Sequence, residues 1–184
     1  MIKGEIMKAT VDIKPIVSKI VIKMGRKDQI NIYNALVTMI KWTRRCKNQA
    51  MESINQTTSP LMWSQEFCTV KFCLPRQSGH TTFIKWMVKS LNEGGSTGEL
   101  FKKPILIFPN IDIIRSSRVF SEGLSYGYVD IVNRLNEDKF LGRTLDGVIV
   151  DCASTLSPEN IGKIYNAFKR HAIHNPNFVF VFLE

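Results

Sequence analysis

Four short apolar runs do most to limit what this chain can fold into. FCTVKFCL (67–74), KPILIFPN (103–110), DGVIVDCAS (146–154) and NFVFVFLE (177–184) are nearly unbroken in Val, Ile, Leu and Phe. A strand with one wet face alternates between apolar and polar residues. These runs do not, so both their faces must be covered, as in a parallel sheet. Between them, FIKWMVKSL (83–91) and PENIGKIYNAFKRHA (158–172) carry helical periodicity, and 112–122 and 126–138 also read as helices. The expected class is α/β, a mainly parallel sheet with helices on both faces. At 184 residues the chain can bury roughly 70% of its unfolded surface. No run approaches the ~18 apolar residues of a membrane span, so a soluble, intracellular and cytoplasmic protein with no membrane partner is expected. Cys46, Cys68, Cys73 and Cys152 have no zinc-finger spacing, so they read as reduced thiols, and neither zinc nor haem is expected.

The net charge of +9 is unevenly placed. Residues 1–50 hold eleven Lys or Arg against Glu5, Asp12 and Asp28, whereas the remainder is nearly balanced. The expected organisation is a basic N-terminal strand and helix region (1–58) followed by an α/β core (59–184), with TTSP (57–60) as the boundary. Residues 9–24 read as two short strands or an edge hairpin around Pro15, and Asp28 as the N-cap of a long helix. Ile32, Leu36, Met39 and Ile40 make that helix's apolar stripe. Lys41, Arg44, Arg45 and Lys47 follow and form the candidate nucleic-acid contact, with Trp42 among them. Clustered cations suit a phosphate backbone, and a lone aromatic gives little sequence reading, so the expected partner is nucleic acid, DNA in preference to RNA, bound with sequence tolerance. A merely solvated face explains the same cluster equally well.

The stretch after the first run carries the chemistry. A phosphate-binding loop follows a strand, opens a helix and has the pattern GxxxxGK[ST]. Here the register is Leu74-Pro75-Arg76-Gln77-Ser78-Gly79-His80-Thr81-Thr82, in which Gly79 and Thr81 match while Leu74 and His80 replace the first glycine and the lysine. Amides of such a loop and of the helix N-terminus surround phosphates. A partner is present at the end of the third run, where Val148-Ile149-Val150 leads into Asp151, a candidate Mg²⁺ ligand with Thr81.

LPRQSGHTT together with DGVIVDCASTLSP resembles the RQ-x-GK-TT loop and hhhDEAxhhP strand of viral and phage terminase large-subunit ATPase domains, members of the additional-strand P-loop NTPases. The resemblance covers roughly residues 60–184. It implies a P-loop NTPase-like core in which Arg76, Gln77, Ser78, Gly79, His80, Thr81 and Thr82 contact nucleotide, and Thr81 with Asp151 holds Mg²⁺ beside ATP. It implies no complete packaging motor, because the family's nuclease has no counterpart in the chain. His80 stands for the family's lysine and Cys152 for its catalytic glutamate. A thiol is a poor proton acceptor for water, and loss of a general base costs about 10²–10⁴-fold in rate. The reading is therefore a nucleic-acid-associated protein that binds ATP with Mg²⁺ and hydrolyses it slowly or not at all. The alternative is a pseudo-ATPase that binds or inhibits a host or viral protein. Three further pairs could serve chemistry but are read as plain structural or surface residues: His171 with His174 as metal ligands, Trp63 with Gln65 as an adenine contact, and Arg115 with Arg118 as an arginine finger or phosphate contacts.

Overall fold

The apolar runs become strands because each is enclosed on both sides. In the computed structural model, residues 26–53, 59–73, 84, 101–110, 112, 125–129, 131, 140 and 143–184 are described. Helix α1 spans Arg26–Ser53 and α2 spans Pro60–Phe67. Strands β1 (Thr69–Phe72), β2 (Pro104–Phe108), β3 (Ser125–Gly127) and β4 (Gly147–Val150) follow, then a 3₁₀ turn (Ala153–Thr155), helix α3 (Pro158–His174) and β5 (Val179–Leu183). The five strands form one sheet in the order β1-β5-β4-β2-β3, and every neighbouring pair is parallel. Every residue of β2, β4 and β5 is buried. The expected α/β class with a parallel sheet and helices on both faces is what the chain adopts.

Strand alternation sorts the core into two layers. Ile105, Ile107, Val148, Val150, Phe180 and Phe182 face α3 and α2, where Ile164, Tyr165, Phe168 and Trp63 cover them. Leu106, Phe108, Ile149, Val179, Val181 and Leu183 face the other way, against Tyr33, Leu36 and Ile40 of α1 and against Ile84 and Phe101. Aromatic pairs knit the first layer, with Tyr165 and Phe180 centroids 4.8 Å apart and Phe140 and Phe168 at 4.7 Å. Such pairs add about 0.5–1.5 kcal/mol each beyond area burial.

Several sequence expectations change. α1 starts at Arg26, so Asp28 lies inside it rather than capping it. Its stripe of Leu36 and Ile40 seals the second layer, which makes the helix a wall of the core and not a region apart from it. Residues 126–138 do not begin as a helix: Ser125-Tyr126-Gly127 pairs with β2 as an edge strand, and helical residues start at Tyr128. Three residues without an apolar run give no periodicity to read. Ser59 caps a helix that the sequence reading did not include: its hydroxyl accepts from Met62 N, and Pro60 opens α2. The hairpin expected at 9–24, the loop residues 74–82, Arg115 and Arg118 lie outside the described residues.

Candidate functional site

The two ends of the strands carry different side chains. At the carboxyl end of β4 the chain stays in the sheet for one more residue, where Asp151 N donates to Ile107 O at 2.8 Å. It then breaks away at Cys152, a non-glycine residue in the left-handed region (φ 50°, ψ 46°). Thr155 holds that bend by donating its amide and its hydroxyl to Cys152 O at 3.0 and 2.8 Å. Ser157 then caps α3, accepting from Asn160 N at 3.2 Å, with Pro158 in the first helical position.

The bend leaves Asp151 with 0% of its surface exposed. Alternation places it on the same side of the sheet as Ile149, the side that α1 and Ile84 cover. The Cys152 thiol donates to Asp151 Oδ1 at 3.5 Å, and the Tyr128 hydroxyl donates to Asp151 O. Burial raises the Tyr128 pKa strongly, which keeps that hydroxyl a donor.

β5 is inserted between β1 and β4. The segment after β4 forms α3 on one face, while Ile84, after β1, packs on the other. Open α/β sheets bind ligands outside the carboxyl ends of their strands, where successive connections leave to opposite faces. At this end of the sheet Asp151 follows β4, and β1, on the far side of β5, leads into residues 74–82. The loop residues Arg76, Gln77, Ser78, Gly79, His80, Thr81 and Thr82 are outside the described residues, so only the Asp151 half of the expected site has a geometry. The same end of the sheet holds a carboxylate that the sequence reading passed over. Glu184 ends β5, its amide donates to Phe72 O at 3.0 Å, and its Oε2 accepts from the Cys73 thiol at 3.5 Å. Partial burial and the Glu184 carboxylate both raise the Cys73 pKa, so the thiol stays protonated. The position of Glu184, directly after VFVFL, was the signal available.

The basic cluster of α1 divides in two. Lys41 and Arg45 are exposed, one helical turn apart. Lys47 is not a surface cation. It is 0% exposed, and its ammonium donates to Asn175 O at 2.6 Å and Phe178 O at 3.2 Å, in the turn between α3 and β5. Burial lowers its pKa. The expectation that Lys47 contacts nucleic acid is therefore overturned: its charge serves main-chain carbonyls within the fold. Arg44 is half-buried, with Nε donating to Asn177 O at 2.7 Å and the guanidinium 5.3 Å from the Phe101 ring centroid.

Of the remaining candidates, His171 and Trp63 are packed within the fold. His171 Nε2 lies 3.1 Å from Phe140 O, and its ring stacks on Phe178 at 5.8 Å. Trp63 packs in the first layer beside Phe67, and Gln65 is exposed. Among the described residues no three His, Cys, Asp or Glu side chains gather as a metal site, and no helix is long and apolar enough to cross a membrane. Compared with known proteins, the chain matches no family and no curated protein.

Proposed function

We propose that this is a nucleic-acid-associated protein of P-loop NTPase type, which binds a nucleoside triphosphate with Mg²⁺ at the carboxyl edge of its sheet and turns it over slowly or not at all. One observation carries the reading: a fully buried aspartate follows β4, with β5 alone between β4 and the strand that leads into RQSGHTT. An additional strand between the two motif strands is what the resemblance to terminase ATPase domains implies.

The donor set fits Mg²⁺, a hard cation that binds through one or two carboxylates and completes its shell with water and phosphate oxygens. Asp151 and the Thr81 hydroxyl would hold it, and when bound it would neutralise charge on the β- and γ-phosphates. As the resemblance has it, amides around Gly79 would donate to phosphate, and Arg76 would add a guanidinium whose planar fork matches phosphate. Cys152 stands where water activation needs a carboxylate, and its thiol is turned towards Asp151. That side chain supports binding without fast chemistry.

The test is a titration of a fluorescent ATP analogue with and without Mg²⁺, beside a turnover assay with DNA present. Asp151→Asn is expected to weaken the Mg²⁺-dependent part of binding by about 10–100-fold and leave Mg²⁺-free binding nearly unchanged. Gly79→Val is expected to abolish both, since a side chain there fills the space of the phosphate. Absence of nucleotide binding by the parent chain would move the balance to the second reading, in which the fold is a scaffold for another protein. The replacement of a carboxylate by Cys152 favours that reading.

A further inference from the structure

The amino edge of the sheet, far along each strand from Asp151, gathers basic residue types that are distant in sequence. Lys102 and Lys103 precede β2, Arg143 precedes β4, and Arg170 and His174 lie in the last two turns of α3, before β5. All five are exposed. They line two adjoining hollows. One, of about 520 Å³, is walled by Arg44, Lys102 and Lys103. The other, of about 640 Å³, is walled by Arg143, Arg170 and His174. The hollows share Thr144 and Asn175, so the cations form one band across the edge.

The floor of that band is held by hydrogen bonds. Asn175 Nδ2 donates to Leu145 O at 2.7 Å, and Asn175 Oδ1 accepts from Asn177 N at 2.9 Å. Asp146 is the one carboxylate among the described residues lining either hollow. Its two oxygens accept the main-chain amides of Lys102 and Lys103, so it positions the lysine pair. Arg44 joins α1 to this floor through Asn177 and Phe101.

We infer that the amino edge of the sheet is a nucleic-acid backbone-binding surface, in which Lys102, Lys103, Arg143 and Arg170 act with the exposed Lys41 and Arg45 of α1. A band spanning two hollows suits a repeating polyanion better than one small anion, because each phosphate meets a separate cation. Side chains of Lys and Arg, with few aromatics to stack bases, position a backbone without reading its sequence. This rests on the nucleic-acid half of the function proposed above and changes where that half resides: on a composite edge, not on one helix.

The experiment is a salt series with a fluorescein-labelled 30-base-pair DNA duplex, using the full chain and three double variants, Lys41→Ala/Arg45→Ala, Lys102→Ala/Lys103→Ala and Arg143→Ala/Arg170→Ala. Thermal melting of each checks the fold. The expected result is that every pair lowers the slope of log K against log salt by about one to two units, with melting unchanged. No binding by the parent at low salt would overturn the nucleic-acid reading and this surface together. Binding by the parent with the slope intact in both loop pairs would overturn the surface alone and return the contact to the N-terminal region. Poly-glutamate of equal charge binding as tightly as the duplex at the same salt would also overturn it, in favour of an acidic protein partner.

Discussion

The two edges of this sheet are built from the same strands and differ in almost everything else. The amino edge is cross-braced: Lys47, Arg44, Asn175 and Asp146 tie α1, the α3–β5 turn and the entries to β2 and β4 together by hydrogen bonds to main-chain groups. The carboxyl edge carries carboxylates at strand ends, Asp151 and Glu184, each contacted by a thiol. The difference teaches that polar groups in an α/β fold divide by what they bond. Those at the amino edge satisfy main-chain groups and hold the fold, whereas the two strand-end carboxylates are met by neighbouring thiols. Lys47 shows the first kind most clearly, since a residue type usually found in solvent sits at 0% exposure with two carbonyls.

The comparison can be broken at Lys47 first. Lys47→Ala removes a charged donor from two carbonyls and leaves a cavity, an expected loss of about 3 kcal/mol. In a chain of 184 residues that lowers the melting temperature by about 6–12 °C. The salt slope of DNA binding by the folded fraction should not change. A lowered slope with an unchanged melting temperature would return Lys47 to the surface.

Gly147 tests how tightly the same edge is packed. A Cβ there would lie 2.4 Å from Phe101 Cε1 and 3.1 Å from Val179 O. Gly147→Ala is expected to cost about 1–3 kcal/mol and to shift the Phe101 ring beneath Arg44, which urea unfolding would register. Nucleotide binding at the opposite edge should be unaffected.

Acidification should loosen the amino side through His171. Burial is the largest cause of its lowered pKa, opposed by the Phe140 carbonyl and assisted by His174. The folded form then binds fewer protons than the unfolded form. Its contribution is complete above the ordinary histidine value near 6.5 and drains away as pH falls through the folded value. Urea midpoints at pH 7.5 and 5.5 should show this fall, and His171→Gln should flatten it.

The smallest expected effect is a gain. No atom lies within 4 Å of a Cβ added at Gly162 in α3. Gly162→Ala should raise stability by about 0.5–1 kcal/mol and alter neither edge. A loss would mean that the helix surface is occupied.

Much of the architecture was legible before any coordinates. The runs at 104–108, 147–150 and 179–183 are apolar at every or nearly every position, and a strand buried on both faces demands that. The periodicity of 158–172 announced α3, whereas α2 (Pro60–Phe67) escaped the sequence reading because eight residues behind a Ser-Pro turn carry too little periodicity. β3 escaped because Ser-Tyr-Gly at a sheet edge holds its place by pairing with β2, an interaction across the chain that leaves no local pattern. Asp151 was legible because it ends an apolar run. The role of Glu184 was not singled out, although it follows the same rule.

By itself, then, the sequence determined the α/β class, the inner strands, the helix before the last strand, the excess of positive charge and the aspartate that ends β4. Each is a local matter of periodicity, capping or composition. Only the tertiary structure decided which cations are surface and which are braces. Lys41, Arg44, Arg45 and Lys47 are equivalent as a string of basic residues. Packing α1 on the sheet sends Lys47 into the α3–β5 turn, pins Arg44 against Phe101 and leaves Lys41 and Arg45 outside. The same packing brings Lys102, Lys103, Arg143 and Arg170 to one edge, because every strand of a parallel sheet is entered from the same end.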